Sequence, residues 1–204
     1  MSTGTVAKAT LGRLPRYLQY LKTLPADCKN VSATTIAKEL GLGDVQVRKD
    51  LAAVCSEGRP KIGYITNDLI KQLEQYLGQN KTQCAVIVGA GKLGKALLDY
   101  EGFADYGLNI IAAFDKAVDT TEYSATGKPI YSMSLFETIC QQKQVRIGII
   151  VVPKSAAQQV CDRMIHLQFS AIWNFAPISL RVPKTIAIQQ ENLALSLAHL
   201  TKQI

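Results

Sequence analysis

Apolar residues recur at helical spacing along the first part of the chain and gather into short dense runs along the rest, so the period itself divides the sequence. Leu11, Leu14, Tyr17, Leu18 and Leu21 predict a helix opened by Thr10, with Pro15 in its first turns and with Arg13, Arg16 and Lys22 off the apolar stripe. Ser32 or Thr34 opens a second helix through Ile36, Ala37 and Leu40. The turn Gly41-Leu42-Gly43 leads to a third from about Asp44 to Val54, with Val45, Val47, Leu51 and Val54 expected inward. Glu57 to Tyr64 is basic and bounded by turn residues, which suits a β-hairpin with Arg59 and Lys61 at its tip. A fourth helix runs from Asn67 or Asp68 to Leu77, and Gly78 to Thr82 reads as a linker, placing a boundary near residue 80.

Beyond it the pattern is that of buried parallel strands alternating with helices. Cys84 to Val88 and Asn109 to Asp115 are strands with a helix between them, and Lys128 to Tyr131 reads as a short edge strand. A helix from Ser134 to Cys140 precedes the strand Val145 to Val152, which Pro153 closes. Ser155 caps a helix ending near Phe169, Ala171 to Phe175 and Thr185 to Gln189 are further strands, and Glu191 to Gln203 is a helix with Leu193, Leu197 and Leu200 on one stripe. The expected architecture is α/β. An N-terminal winged-helix domain, residues 1–80, precedes a Rossmann-like doubly wound parallel sheet, residues 81–189, and a C-terminal helical segment, residues 190–204.

Composition narrows the chemistry. No apolar run is long enough to span a membrane and the start lacks the regions of a signal peptide, so a cytoplasmic protein is expected. Five scattered cysteines with no C-x-x-C pair predict reduced thiols, Cys84, Cys140 and Cys161 in the core and Cys55 exposed. With two histidines, neither a metal site nor a catalytic residue is expected. The net charge of +7 is spread evenly, so clustering must carry any case for nucleic acid.

Two clusters do so. Gly89-Ala90-Gly91-Lys92-Leu93-Gly94 lies between a strand and a helix: Gly89 permits the tight turn, Gly91 lets backbone N–H groups approach a pyrophosphate, and Gly94 lets helix and strand pack closely. Asp115, 21 residues after Gly94, matches the acid that holds an adenosine ribose, and its charge favours NAD(H) over NADP(H), although Lys116 beside it could soften that preference. Val152-Pro153 and Asn174-Phe175-Ala176-Pro177 stand at strand ends where the nicotinamide would lie. In the first half, Gln46, Arg48 and Lys49 on the third helix fit either a helix-turn-helix reading base edges or a plain bundle with solvated charges, and the basic hairpin with Arg59 and Lys61 favours the former.

Taken together, Arg13 to Leu18, Val47-Arg48-Lys49-Asp50-Leu51, Gly63-Tyr64, Gly89 to Gly94, Ala112 to Asp115 and Trp173-Asn174-Phe175-Ala176-Pro177 resemble the Rex family of redox-sensing transcriptional repressors over nearly the whole chain. The resemblance implies a homodimer that binds palindromic double-stranded operator DNA through residues including Arg13 and Arg16. It implies a regulatory ligand, NADH or NAD⁺, with NADH releasing the DNA. It also implies a C-terminal helix swapped between subunits, and a reduced nicotinamide near Tyr100, Ala176 and Leu193 of the swapped helix. Three places depart from the pattern: Ala52 to Ser56 after the third helix, Gln19, and Asn192 where many members carry an acid. A small dehydrogenase lacks its substrate domain and acid or base here, and a CoA-binding module would explain only residues 81–180, so a non-enzyme is expected.

Overall fold

Helical periodicity in the first half folds as expected around one apolar cluster. The structure, a computed structural model, describes residues 6–55, 58–59, 62–78 and 82–201. The chain forms two compact units that divide near residue 81. Among the described residues the first contains α1 (Lys8–Thr23), β1 (Asn30–Val31), α2 (Ala33–Leu40), α3 (Asp44–Ala52), β2 (Tyr64–Ile65) and α4 (Thr66–Tyr76). Leu14, Tyr17, Leu18 and Leu21 of α1 meet Ile36 of α2, Val47 and Leu51 of α3, and Leu69 and Leu73 of α4 in its core. Antiparallel pairing of β1 with β2 and the bridge between Arg59 and Gly63 form the base of a wing. Of the predicted tip, Arg59 is described and Lys61 is not, and the linker residues 79–81 and residues 202–204 also lie outside the described residues.

Several boundaries differ for local reasons. Thr10 lies inside α1, which begins at Lys8 after an Ala7 cap without a side-chain bond, so Pro15 sits mid-helix. Its missing N–H would have bonded the carbonyl of Leu11, and Leu11 is itself solvent-exposed, where that loss is tolerated. Val45 is exposed as well: it lies about 200° around the helix from Val47, which with Leu51 takes the core. The α2 cap is Ser32, whose Oγ accepts from the N–H of Thr35 at 3.0 Å. Cys55 is half-buried, and burial pushes its thiol up to about 11, leaving little reactive thiolate at neutral pH.

The side-chain oxygen of Thr66 is buried without a hydrogen-bond partner among the described residues. Since an unsatisfied buried hydroxyl costs about 1–3 kcal/mol, Thr66→Val is expected to stabilise the first unit by about 1 kcal/mol. Urea unfolding would check it, and a destabilised variant would mean that the hydroxyl is satisfied in solution.

The second unit contains β3 (Gln83–Val88), α5 (Lys92–Asp99), β4 (Leu108–Asp115), β5 (Glu122–Tyr123) and β6 (Pro129–Ser132), and a 3-10 segment Glu101–Tyr106 lies between α5 and β4 in the chain. A 3-10 turn Met133–Leu135 then runs into α6 (Phe136–Gln142), followed by β7 (Ile147–Ile150), α7 (Lys154–His166), β8 (Ala171–Asn174), β9 (Ala187–Gln190) and α8 (Leu193–Leu200). The sheet runs β5-β6-β4-β3-β7-β8-β9, parallel except for β5. Strand β6 is therefore internal, not the edge: a two-residue strand that periodicity is too short to reveal covers it. Ala85 and Ile87 pack on one face of the sheet and Val86 and Val88 on the other, as a doubly wound core requires. Ser155 does not cap α7, whose cap residue is Pro153 with no side-chain bond, and the helix ends at His166 instead of Phe169.

Candidate functional site

The strand order reverses at β3, which lies between β4 and β7, and the carboxyl ends of those strands form the crevice in which such folds hold ligands. A cavity of about 670 Å³ opens there. Gly89 and Gly91 line it beside Asp115 and Lys116 at the end of β4, and Val152 and Pro153 close it beyond β7.

The glycines of this loop have different causes. Gly89 holds φ at +105°, and a side chain there would also run into the carbonyl of Val151. A side chain at Gly94 would collide with the carbonyl oxygen of Gly89, so that glycine sets the distance between α5 and the turn. Around Gly91 a Cβ meets nothing within 4 Å. No internal contact requires a glycine there, and Gly91 lies on the cavity wall.

Asp115 is held in place by the backbone it serves. One carboxylate oxygen accepts from the N–H of Ala90 at 2.7 Å and the other from the N–H of Ala117 at 2.9 Å. Two bonds leave about two of four acceptor positions for a ribose diol. Arg163 also lines the cavity, but its guanidinium is spent on both oxygens of Glu137, at 2.7 and 2.8 Å, and holds that carboxyl below the usual range. Lys116 makes no ion pair among the described residues.

In the first unit a groove of about 590 Å³ runs between the start of α2, helix α3 and the wing, with Arg48 and Arg59 on its walls. Gln46, Lys49 and Arg16 are exposed. Arg13 is not free: its Nε and Nη2 donate to Asp50 at 2.7 and 2.9 Å, and Tyr17 and Thr10 donate to the same carboxylate at 2.7 and 2.8 Å. Burial pushes the Asp50 carboxyl up, but the bonds from Arg13, Tyr17 and Thr10 outweigh it and hold it below the usual range.

Comparison with known proteins matches both parts of the chain. Residues 5–52 match the family described as "Putative DNA-binding protein N-terminus", and residues 80–178 match the family described as "CoA binding domain". A relative from Porphyromonas gingivalis, "Redox-sensing transcriptional repressor Rex", is 39% identical over 194 residues, 95% of this chain and 89% of that protein. The chain belongs to the Rex family. The Rex protein of Treponema denticola is likewise 39% identical, over 92% of this chain and 90% of its own. Among solved structures, the Rex-family repressor RSP in complex with β-NAD⁺ and operator DNA matches with a TM-score of 0.90 at 31% identity, covering 98% of this chain and 93% of that one. RSP in complex with β-NADH matches with a TM-score of 0.83 at 31% identity, covering 98% and 95%.

Set against the Rex resemblance, the structure brings together Gly89, Gly91, Leu93, Asp115, Lys116, Val152 and Pro153 around the cavity. Ala90 contributes its N–H to Asp115, and Lys92 begins α5. Asn174 is not a lining residue: it is fully buried, its amide donates to Ala176, Ile178 and Gln190, and its oxygen accepts from the N–H of Ala176. It shapes the turn after β8. Ala176 is a buried residue of that turn, while Tyr100 and Leu193 stand exposed and are not among the residues lining the cavity.

Phe175, expected at the strand end, lines the cavity, and so do Ser155 and Gln159, which the sequence did not point to. Ser155 and Gln159 are four apart on α7, a spacing that identifies a shared face but not what it looks onto. Phe175 packs on Trp173 at 4.5 Å between ring centres, and Trp173 donates to Glu191 at 3.0 Å.

Proposed function

We propose that the chain is a DNA-binding transcriptional repressor that senses the ratio of NADH to NAD⁺, with residues 1–80 reading the operator, 81–189 holding the dinucleotide and 190–204 joining two copies. The observation that carries this reading is the loop at Gly91, the one glycine of the fingerprint whose added side chain would meet no protein atom, on the cavity wall beside a carboxylate with acceptor positions to spare. The loop N–H groups would hold a pyrophosphate, Asp115 a ribose diol, and Val152, Pro153 and Phe175 would offer apolar surface to a ring. A neutral reduced nicotinamide enters such a surface at less cost than the charged oxidised ring. CoA fits less well, because its 3′-phosphate would meet Asp115, and NADPH meets the same charge with its 2′-phosphate.

On the DNA side, Arg48 and Lys49 would contact guanine or phosphate, exposed Val45 a thymine methyl, and Arg59 and Lys61 the backbone or minor groove. A palindromic operator matches a two-fold dimer. Four leucines of α8, Leu193, Leu195, Leu197 and Leu200, are 52 to 65% exposed, and an apolar helix left so open needs a partner surface. In our reading that surface is a second copy, with α8 swapped across. Asn192 caps α8 by accepting from the N–H of Leu195 at 2.9 Å, so Asn192→Asp keeps the cap while restoring an acid opposite Gln19 and Tyr100 of the partner. No described helix is long and apolar enough to cross a membrane. A cytoplasmic, non-enzymatic role completes the reading.

The test is a gel shift with palindromic promoter DNA of the source genome. The chain is expected to shift such a duplex, NADH to release it, and NAD⁺, NADPH and CoA to release it far less. No specific shift on any promoter overturns the reading, and release by CoA alone assigns the cavity to that ligand. Leu197→Asp is expected to turn a dimer into a monomer in analytical ultracentrifugation, and an unchanged dimer would remove α8 from the interface.

A further inference from the structure

Asp50 is the one buried carboxylate among the described residues, and every side chain that bonds it comes from one face of α1: Thr10, Arg13 and Tyr17. It lies on α3, one turn beyond Gln46, so the two side chains leave the helix on the same side. Arg13 bridges them. With Nε and Nη2 turned to Asp50, the guanidinium offers its flat face, and the Gln46 amide rests on it. The orientation that avoids setting an NH₂ against a cation puts the amide oxygen 3.1 to 3.3 Å from all three guanidinium nitrogens. One oxygen can be that close to all three only from above their plane.

The consequence concerns recognition. A free glutamine presents both an acceptor and two donors and can pair bidentately with adenine. With its oxygen held on Arg13, Gln46 keeps only its NH₂ outward and asks for an acceptor: N7 or O6 of a purine, or O4 of thymine. An arginine whose charge is shared with a buried carboxylate and covered by an amide is also poorly placed to meet a phosphate.

Resting on the repressor reading above, we propose that Arg13 is a positioning residue for sequence recognition, which fixes the amide of Gln46 donor-outward from the buried Asp50, and that it is not a backbone contact. Lysine at this position would keep the charge and one bond to Asp50 but would lose the flat platform.

The full chain would be titrated by fluorescence anisotropy with two duplexes, one selected by the wild type from a randomised palindromic library and one scrambled, across a range of salt. Arg13→Lys is expected to weaken binding to the selected duplex about tenfold, the effect of one mis-set base contact, and to leave the scrambled duplex unaffected. Gln46→Ala is expected to do the same, and Arg13→Lys in that background to add nothing, which a merely structural arginine would not produce. Because Arg13→Gln alone strands a buried charge, it is paired with Asp50→Asn. In that double variant the slope of log affinity against log salt is expected to stay at the wild-type value, whereas a lost phosphate contact would reduce it by about 1. Additive losses, an unchanged ratio of selected to scrambled affinity in Arg13→Lys, or a reduced slope would each overturn the assignment while leaving the repressor reading standing. A wild-type chain that selects no duplex overturns both.

Discussion

Gly94→Ala is expected to destabilise the second unit by about 3 kcal/mol or more, while Gly91→Ala leaves it folded and weakens NADH binding about a hundredfold. At Gly94 the added methyl runs into the backbone of Gly89, and neither partner is a flexible side chain that could turn away. Helix α5 would have to move off the turn, taking Leu98 out of the core with it. At Gly91 the same methyl meets no protein atom. It instead stands where a pyrophosphate must come close to reach the loop N–H groups, and two charge-assisted hydrogen bonds lost there account for the hundredfold effect. Thermal unfolding by circular dichroism separates the two variants, and NADH fluorescence titration measures the ligand. Wild-type affinity in Gly91→Ala would take the loop out of the binding site.

Asp50→Ala is expected to cost the first unit about 3–5 kcal/mol, because it leaves a partly buried guanidinium, a fully buried phenol and the hydroxyl of Thr10 without their shared acceptor. Urea unfolding is the measure, with Asp50→Asn, which keeps an acceptor oxygen, falling between. The same cluster sets a pH window. The Asp50 carboxyl is held low, so its contribution is present above the ordinary carboxylate range and is lost as pH falls through the folded-state value. Tyr17 is shifted the other way, pushed up to about 12 by burial and by the neighbouring Asp50. Its contribution is full below about 10 and is lost as pH rises through 12. An alkaline loss of stability that persists unchanged in Tyr17→Phe would refute that account.

What the chain discloses to a reader depends on how far apart the interacting residues lie. Strand β3, the glycine turn and Asp115 were legible because each follows from local pattern and the fingerprint ties them at a fixed spacing. The helix positions of Val47, Leu51, Leu69 and Leu73 were legible for the same reason. Arg13 was not: its charge and its place off the apolar stripe point outward, and only the packing of α1 on α3 reveals a buried acid 37 residues away. Asn174 misled in the opposite direction. A polar residue at a strand end suggests a ligand, yet every bond its side chain makes among the described residues goes to its own turn and to Gln190, 16 residues on. Short strand β5 escaped notice because two residues carry no period.

The chain has a single tryptophan. Trp173 touches Phe175 on the cavity wall and is bonded through its indole N–H to Glu191, two residues before α8 begins. All indole emission from this protein therefore originates from one place, wired on one side to the ligand pocket and on the other to the helix that would join two copies. A reduced nicotinamide absorbs where indole emits and an oxidised one does not, so light absorbed at Trp173 would be drained by one redox form alone. The protein carries its own optical clock, able to time the arrival of the ligand, and any movement of the last helix that accompanies it, without any added label.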